Sequence, residues 1–153
     1  MSPESAGAVA ALDPGRSKCG LVLSDPARQQ VVWAAVLPPP VCWHQLQHWC
    51  HQGQLALVVL GDGTGSAAWQ RRLAPLVDVR LVVERGSTLA ARQRYWQLEP
   101  VRGWRRCLPL GLRQPPRDWD DVVAQLLLER WLQQPLRRLS GAYQREPIAP
   151  GEA

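Results

Sequence analysis

Two apolar runs near the start of the chain, separated by a tight turn, restrict the fold more than any other stretch. Residues 9–12 are apolar and end in a carboxylate, Asp13, and residues 19–23 form the second run. Pro14-Gly15 lies between them, and this pair is typical of a turn because proline presets φ and glycine allows positive φ. We therefore predict a buried strand, a turn and an antiparallel return strand. Asp13 would then lie at the rim of a sheet, as a metal ligand or as an ordinary turn-capping aspartate.

The length and composition favour one globular domain. The chain has 153 residues, of which 46% are hydrophobic, which is enough for a core and excludes a disordered protein. Residues 1–7 lack the features of a signal peptide, and no apolar run approaches the roughly 20 residues that cross a bilayer. We therefore expect a cytoplasmic protein without a membrane partner. Four cysteines without Cys-x-x-Cys spacing are expected to be reduced and mostly buried, namely Cys19, Cys42, Cys50 and Cys107.

The basic charge of the chain is concentrated in one segment. The net charge is +5, and residues 85–117 contain eight arginines against a single acidic residue, Glu99. A concentrated basic segment suggests a polyanionic partner, which we expect to be nucleic acid. Residues 97–118 of this segment are also rich in proline and glycine, and so long a loop is usually functional or mobile.

The remaining apolar periodicity predicts three more strands and four helices. The strands are 30–36, 55–60 and 78–84, and the helices are 41–52, 67–76, 89–96 and 119–132. We expect Ser87 or Thr88 to cap the third helix and Asp118 to cap the fourth. The single domain would span 8–132, with a disordered N-terminus at 1–7 and a mostly flexible, proline-containing tail at 133–153.

Three features of these elements have both a functional and an ordinary interpretation. The histidines of the first helix face away from its apolar stripe, which favours a solvated face over a zinc site (His44, His48 and His51). The glycine-rich turn after the fourth strand is a candidate phosphate loop through Gly61, Gly63 and Thr64, or a plain tight turn, since no Walker lysine follows. At the start of the last helix, Asp120 lies at the centre of the apolar stripe, whereas Asp121 lies at its edge. Asp120 would therefore face the sheet, as a buried cap or as a site residue.

The order of the elements predicts a particular α/β fold. Three strands form an antiparallel meander, and two more follow through helical crossovers, which makes them parallel. The result is a five-stranded mixed sheet flanked by helices, the layout of the ribonuclease H-like fold. Carboxylates lie at the end of the first strand, at the end of the fifth strand and at the head of the last helix, in Asp13, Glu84 and Asp120.

Three motifs resemble the YqgF/RuvX family, which is related to Holliday-junction resolvases and to nucleases that process pre-16S ribosomal RNA. The resemblance covers roughly 8–132 and rests on three stretches. They are the opening Ala-Leu-Asp-Pro-Gly-Arg-Ser-Lys-Cys-Gly-Leu-Val-Leu-Ser-Asp, Val-Glu-Arg-Gly-Ser-Thr at 83–88 and the helix 119–132. The arginine-rich loop resembles that of a cyanobacterial branch of the family. The chain departs from the family at Val83, where the motif has aspartate, and at Leu60-Gly61-Asp62, where it has Gly-Leu-Pro.

The resemblance implies a nuclease that hydrolyses phosphodiester bonds in structured nucleic acid, in pre-16S ribosomal RNA processing or on Holliday-junction-like DNA. It implies that Asp13, Glu84 and Asp120 are the catalytic residues and the ligands of Mg²⁺ or Mn²⁺, with ribosomal precursor particles as a candidate partner. The residues expected to contact the nucleic acid are Arg16, Lys18, Arg85, Arg102, Trp104, Arg105 and Arg106. Trp104 would stack on an unpaired base or pin the loop to the domain.

Two other functions are compatible with the sequence. One is a nucleic-acid-binding scaffold in ribosome maturation that has lost turnover, which the Val83 departure and the long basic loop would suit. The other is a nucleotide-binding domain that uses residues 61–66, although the missing P-loop lysine weighs against it.

Overall fold

A computed structural model describes residues 7–99, 103–109, 115 and 117–145 of the chain. It contains seven strands: β1 (Ala8–Asp13), β2 (Cys19–Ser24), β3 (Gln30–Leu37), β4 (Leu55–Gly61), β5 (Asp78–Val82), β6 (Arg137–Arg138) and β7 (Tyr143–Gln144). The helices are α1 (Pro39–His51), α2 (Ser66–Leu73), α3 (Ser87–Leu98) and α4 (Asp120–Leu132), with a short 3-10 helix at Gly103–Cys107.

The strands form one mixed sheet in the order β5-β4-β1-β2-β3-β6, with β7 also paired to β3. The strand β2 runs antiparallel to β1 and β3, whereas β1, β4 and β5 run parallel to one another. A meander followed by two helical crossovers on the other side of β1 is the strand arrangement of the ribonuclease H-like fold. The predicted fold class is therefore confirmed.

The sheet is covered on both faces, and β1 shows why. Its alternate residues enter two different cores: Ala8, Ala10 and Leu12 pack with α1 and α2, and Val9 and Ala11 pack with α4. Successive side chains of a strand point to opposite faces, so a strand buried on both sides is apolar at every position. A third, smaller core joins α3 to α4. The end of β1 is thus held firmly between two layers of helices.

The segment after α4 corrects the predicted five-stranded sheet. The strand β6 pairs with Gln30 and Val31, and β7 pairs with Ala34 and Ala35, so both extend the sheet along β3. Two-residue strands leave almost no apolar periodicity in the sequence, which is why the prolines of this segment suggested a flexible tail. Residues 1–6 and 146–153, also expected to be flexible, lie outside the described residues.

Two helix starts also differ from prediction. The helix α3 begins after Gly86, which adopts a left-handed φ of 74°, and α4 begins after Trp119 instead of a capping Asp118. Asp118 is engaged elsewhere, because Lys18 Nζ lies 2.5 Å from its Oδ2.

The expectation of a solvated histidine face holds, whereas only two of the four cysteines are buried. The three histidines of α1 are exposed, and all four cysteines are free, with Cys19 and Cys42 buried, Cys50 half-buried and Cys107 exposed. Within the part of the chain that the structure describes, no helix has the length and apolar character needed to cross a bilayer.

Candidate active site

The parallel strands bring two acidic residues to one edge of the sheet. Asp13 is the last residue of β1, and Glu84 follows the end of β5 by two residues. The strand β4 lies between them, with Leu60 paired to Leu12 and Gly61 paired to Val82. Because the carboxyl ends of parallel strands meet at the same edge, residues 71 positions apart in sequence become neighbours in space.

The Asp13 and Glu84 side chains are in hydrogen-bonding contact. The pKa of Asp13 is raised from 3.8 to about 9, first because burial penalises its charged form and then because of the hydrogen bond and the negative charge of Glu84. The charge of Asp120 adds a smaller contribution in the same direction. The raised pKa favours the protonated form of Asp13 at neutral pH when no metal is bound.

The glycine-rich turn after β4 lies directly beneath the Glu84 carboxylate. A Cβ atom on Gly61 or Gly63 would collide with the carboxylate oxygens of Glu84, so only glycine leaves room for them here. These two members of the candidate phosphate loop thus line the space that Glu84 occupies, while Thr64 is exposed. Phosphate binding by this turn stays a prediction.

A close backbone approach brings Asp120 to the same region. Gly20 of β2 is paired with Asp13, and the backbone of Asp120 lies so close to Gly20 that a Cβ there would collide with the Asp120 carbonyl. The first residue of α4 therefore lies beside the end of β1. Burial, and then the charges of Asp118 and Asp121, raise the pKa of Asp120. Glycine within a strand often marks such an approach, a signal that our sequence analysis did not use.

Asp121 is the fully buried acid of α4, in contrast to the helical-wheel prediction that placed it at the edge of the apolar stripe. It is 0% exposed and accepts hydrogen bonds from Arg117 at 2.7 Å and from Arg138 at 2.6 Å. Arg138 belongs to β6, a strand that the sequence did not reveal. Asp120 is half-buried and has no part in these ion pairs.

The predicted nucleic-acid contacts lie in different surroundings. Arg16 and Arg85 are exposed near Asp13 and Glu84, whereas Lys18 forms an exposed ion pair with Asp118 that raises the pKa of Lys18. In the basic loop, Trp104 is 66% exposed and Arg106 is exposed. Arg102 and the side chain of Arg105 lie outside the described residues.

Part of the concentrated positive charge serves the domain itself. Arg94 forms an ion pair with Glu129 at 2.8 Å and also donates a hydrogen bond to the Leu136 carbonyl. Arg117 pairs with Asp121 and stacks on Tyr143, with its guanidinium carbon 3.7 Å from the ring centroid. The basic segment is therefore partly a structural element, which its composition could not reveal.

The carboxylate oxygens at the end of β1 are possible ligands of a divalent cation. Among the described residues, no group of three His, Cys, Asp or Glu side chains is already arranged as a metal site. However, Glu84 Oε1 is buried and has no hydrogen-bond partner in the described part of the chain, and burial together with the neighbouring Glu84 raises the pKa of Asp13. A hard cation takes oxygen ligands and would relieve both conditions. The oxygen donors of Asp13 and Glu84 therefore fit a hard divalent cation, with Asp120 adjacent.

Two further residues near the site were missed by sequence reasoning. Asp62 Oδ1 accepts a hydrogen bond from the Glu84 backbone N–H at 2.9 Å. Arg130 Nη1 donates to the Val83 carbonyl at 3.1 Å and to the Arg85 carbonyl at 3.4 Å. Both contacts connect residues far apart in sequence, and a sequence pattern gives no sign of them.

Comparison with known proteins gives matches only among solved structures. No family model matches the sequence, and no curated protein is similar to it. A Thermus thermophilus RuvC in complex with a Holliday junction substrate is 17% identical, over 83% of this chain and 94% of that chain, with a TM-score of 0.48. A second Thermus thermophilus RuvC structure is 15% identical, over 83% of this chain and 97% of that chain, with a TM-score of 0.42. We therefore base the function on this chain's own side chains.

Proposed function

We propose that the chain is a metal-dependent nuclease that hydrolyses phosphodiester bonds in structured nucleic acid. The observation that supports this most directly is the contact between the Asp13 and Glu84 carboxyl groups at the end of β1, with Asp120 close enough to raise the pKa of Asp13. Neighbouring carboxylates destabilise one another unless a cation is bound. The motif resemblance to the YqgF/RuvX family supports the same function.

Asp13, Glu84 and Asp120 are the residues that would hold the metal. When bound, divalent cations activate a water as nucleophile and stabilise the leaving oxygen of the phosphodiester. The protein supplies rigid positions for its carboxylates: Asp13 ends a strand buried on both faces, and Gly20 lets Asp120 approach it closely. The partly buried surroundings of Asp13 and Asp120 also strengthen their interaction with a cation.

Exposed cations flank these carboxylates on two sides. Arg16 lies on the turn after β1, and Arg85 follows Glu84 directly. Both can contact the phosphate backbone of a substrate, which carries one charge per nucleotide. Lys18 reaches a phosphate only by leaving Asp118, an exposed ion pair of the kind that contributes little stability.

The test is cleavage of two labelled substrates, a precursor of 16S ribosomal RNA and a four-way DNA junction. Each is incubated with Mg²⁺, Mn²⁺ or EDTA, in parallel with the Asp13→Asn variant. We expect wild-type cleavage of one substrate in either metal and none in EDTA or with Asp13→Asn. Cleavage that survives both EDTA and the substitution would contradict the proposal. The substrate that is cut also decides whether ribosomal precursor particles are the partner.

A binding scaffold without turnover is the second candidate, and Val83 is the observation that favours it. The family motif has a carboxylate at this position, whereas the Val83 side chain is apolar and 61% exposed. A scaffold would bind the precursor RNA or the junction in EDTA and in Mg²⁺ alike and would cut neither. Restoring the carboxylate with Val83→Asp separates the candidates, because a gain of cleavage would show that the wild-type site lacks only this side chain.

The basic loop is proposed to bind nucleic acid without taking part in the chemistry. Replacing the three loop arginines with alanine should flatten the salt dependence of binding, by roughly 0.7–0.9 in slope for each lost phosphate contact. Single-turnover cleavage at saturating protein should change much less. The substituted residues are Arg102, Arg105 and Arg106. An unchanged salt slope would mean that the substrate binds elsewhere.

A further inference from the structure

We propose that Asp62 and Arg130 are positioning residues that hold Glu84 in its place at the site. The inference rests on the proposed function, because it assigns a purpose to the exact location of the Glu84 carboxylate. Glu84 follows the last residue of β5 by two positions, so no strand pairing fixes its backbone. Its location must therefore be fixed by other contacts.

Asp62 fixes the backbone of Glu84 from the side of β4. Its N–H donates to the Val82 carbonyl at 3.0 Å, and its Oδ1 accepts from the Glu84 N–H at 2.9 Å. One residue thus holds the chain on both sides of Val83. Next to Asp62 are Gly61, the last residue of β4, and Gly63, and the Glu84 carboxylate lies against both. Backbone and carboxylate of Glu84 are therefore located by one short segment.

Arg130 fixes the same stretch from the side of α4. Its Nη1 donates to the carbonyls of Val83 and Arg85, the two residues that flank Glu84. Asp120 heads the same helix, ten residues earlier, which corresponds to about 15 Å along the axis. A helix is rigid over this length, so Arg130 ties the position of Glu84 to the element that carries Asp120.

The two contacts define what each side chain must supply. Asp62 acts through an acceptor oxygen, so asparagine should replace it, whereas alanine should not. If Asp62 instead acted as a further metal ligand, loss of its charge in Asp62→Asn would be as harmful as Asp62→Ala. Arg130 acts as a donor to two carbonyls, so Arg130→Met removes the function, and Arg130→Lys keeps one donor group but not the planar guanidinium.

The experiment measures Mn²⁺ binding by electron paramagnetic resonance in the absence of nucleic acid, and then single-turnover cleavage in saturating Mn²⁺. Thermal unfolding shows that each variant is folded. Asp62→Ala and Arg130→Met should each weaken Mn²⁺ binding or slow cleavage by about 10- to 100-fold, as is typical when a group that orients a ligand is removed. Affinity for nucleic acid should not change. Arg71→Met, on an exposed position of α2, is the matched control and should behave as wild type.

The outcomes separate this inference from the proposed function. Wild-type values for Asp62→Asn, together with losses in Asp62→Ala and Arg130→Met, support positioning through these hydrogen bonds. Equal losses in Asp62→Asn and Asp62→Ala overturn it, as do wild-type values for both Asp62→Ala and Arg130→Met. If Arg130→Met does not fold, the two Asp62 variants decide. Equal Mn²⁺ binding by wild type and Asp13→Asn would instead remove the proposed function, and the inference with it.

Discussion

Replacing Asp13 by asparagine should stabilise the metal-free protein while abolishing cleavage. The pKa of Asp13 is raised from its ordinary value of 3.8 to about 9 in the folded protein. At a pH between these two pKa values, Asp13 is protonated in the folded protein and ionised in the unfolded chain. Stability then falls as pH rises, by at most about 1.4 kcal/mol per pH unit. At pH 7 the site costs at most about 4 kcal/mol, and less where Glu84 and nearby water adjust.

Asparagine avoids this cost because it does not titrate and its amide can donate a hydrogen bond to Glu84. The free energy of unfolding is measured with urea in EDTA at several values between pH 5 and pH 8. The advantage of Asp13→Asn over wild type should be smallest at pH 5 and should grow steadily toward pH 8. Asp78→Asn, an exposed aspartate of β5, is the matched control and should follow wild type throughout.

Metal should reverse the order of the two proteins. Saturating Mg²⁺ stabilises whichever protein binds it in the folded state, so wild type should gain stability and Asp13→Asn should gain little. Parallel pH curves for the two proteins in EDTA would refute the reasoning, because they would show that the folded protein does not hold Asp13 protonated. A larger advantage of the variant at pH 5 than at pH 8 would give the linkage the wrong sign and would refute it equally.

Three further perturbations test other parts of the site. Gly63→Ala should displace the Glu84 carboxylate and weaken Mn²⁺ binding, measured by calorimetry, by about 10- to 100-fold. Thr64 is exposed, so Thr64→Ala should leave Mn²⁺ affinity in the same assay nearly unchanged unless the turn binds phosphate. Asp121→Asn removes the buried negative charge that pairs with Arg117 and Arg138. The free energy of unfolding, measured with urea, should fall by about 3–5 kcal/mol. A loss below about 1 kcal/mol would be typical of an exposed ion pair instead. Trp104→Ala should weaken binding of single-stranded nucleic acid by about 1–3 kcal/mol if the ring stacks on a base, and unchanged affinity would favour a role in pinning the loop.

The sequence predicted the sheet well because its central strands are apolar and long. The runs that became β1, β2 and β4 are buried on both faces, so their composition alone identified them, and the helical segments between them determined the parallel pairing. The identity of Glu84 as the carboxylate near Asp13 followed from the same rule about strand ends.

The missing parts depend on contacts between distant residues. Arg138 contacts Asp121, 17 positions away in sequence, and Arg130 contacts Val83, 47 positions away. Neither the residue types nor their spacing predicts such contacts. The helical wheel used only the apolar residues of α4 itself, so it could not include Arg138 of β6, which pairs with the fully buried Asp121 at the edge of the apolar stripe. Short strands and ion pairs are the features that local periodicity cannot predict.

The strands β6 and β7 have a consequence for how the protein is made. They pair with β3, about a hundred residues earlier in the chain, and Arg138 of β6 neutralises the buried Asp121 next to Asp120. A ribosome delivers the N-terminal strands first, so the meander can form while the rest is still being synthesised. Arg117 precedes α4 in the chain, whereas Arg138, the second partner of Asp121, becomes available only after residue 138 has left the exit tunnel. A nascent chain therefore completes the buried ion pairs beside Asp120 late, after α4 itself has been translated.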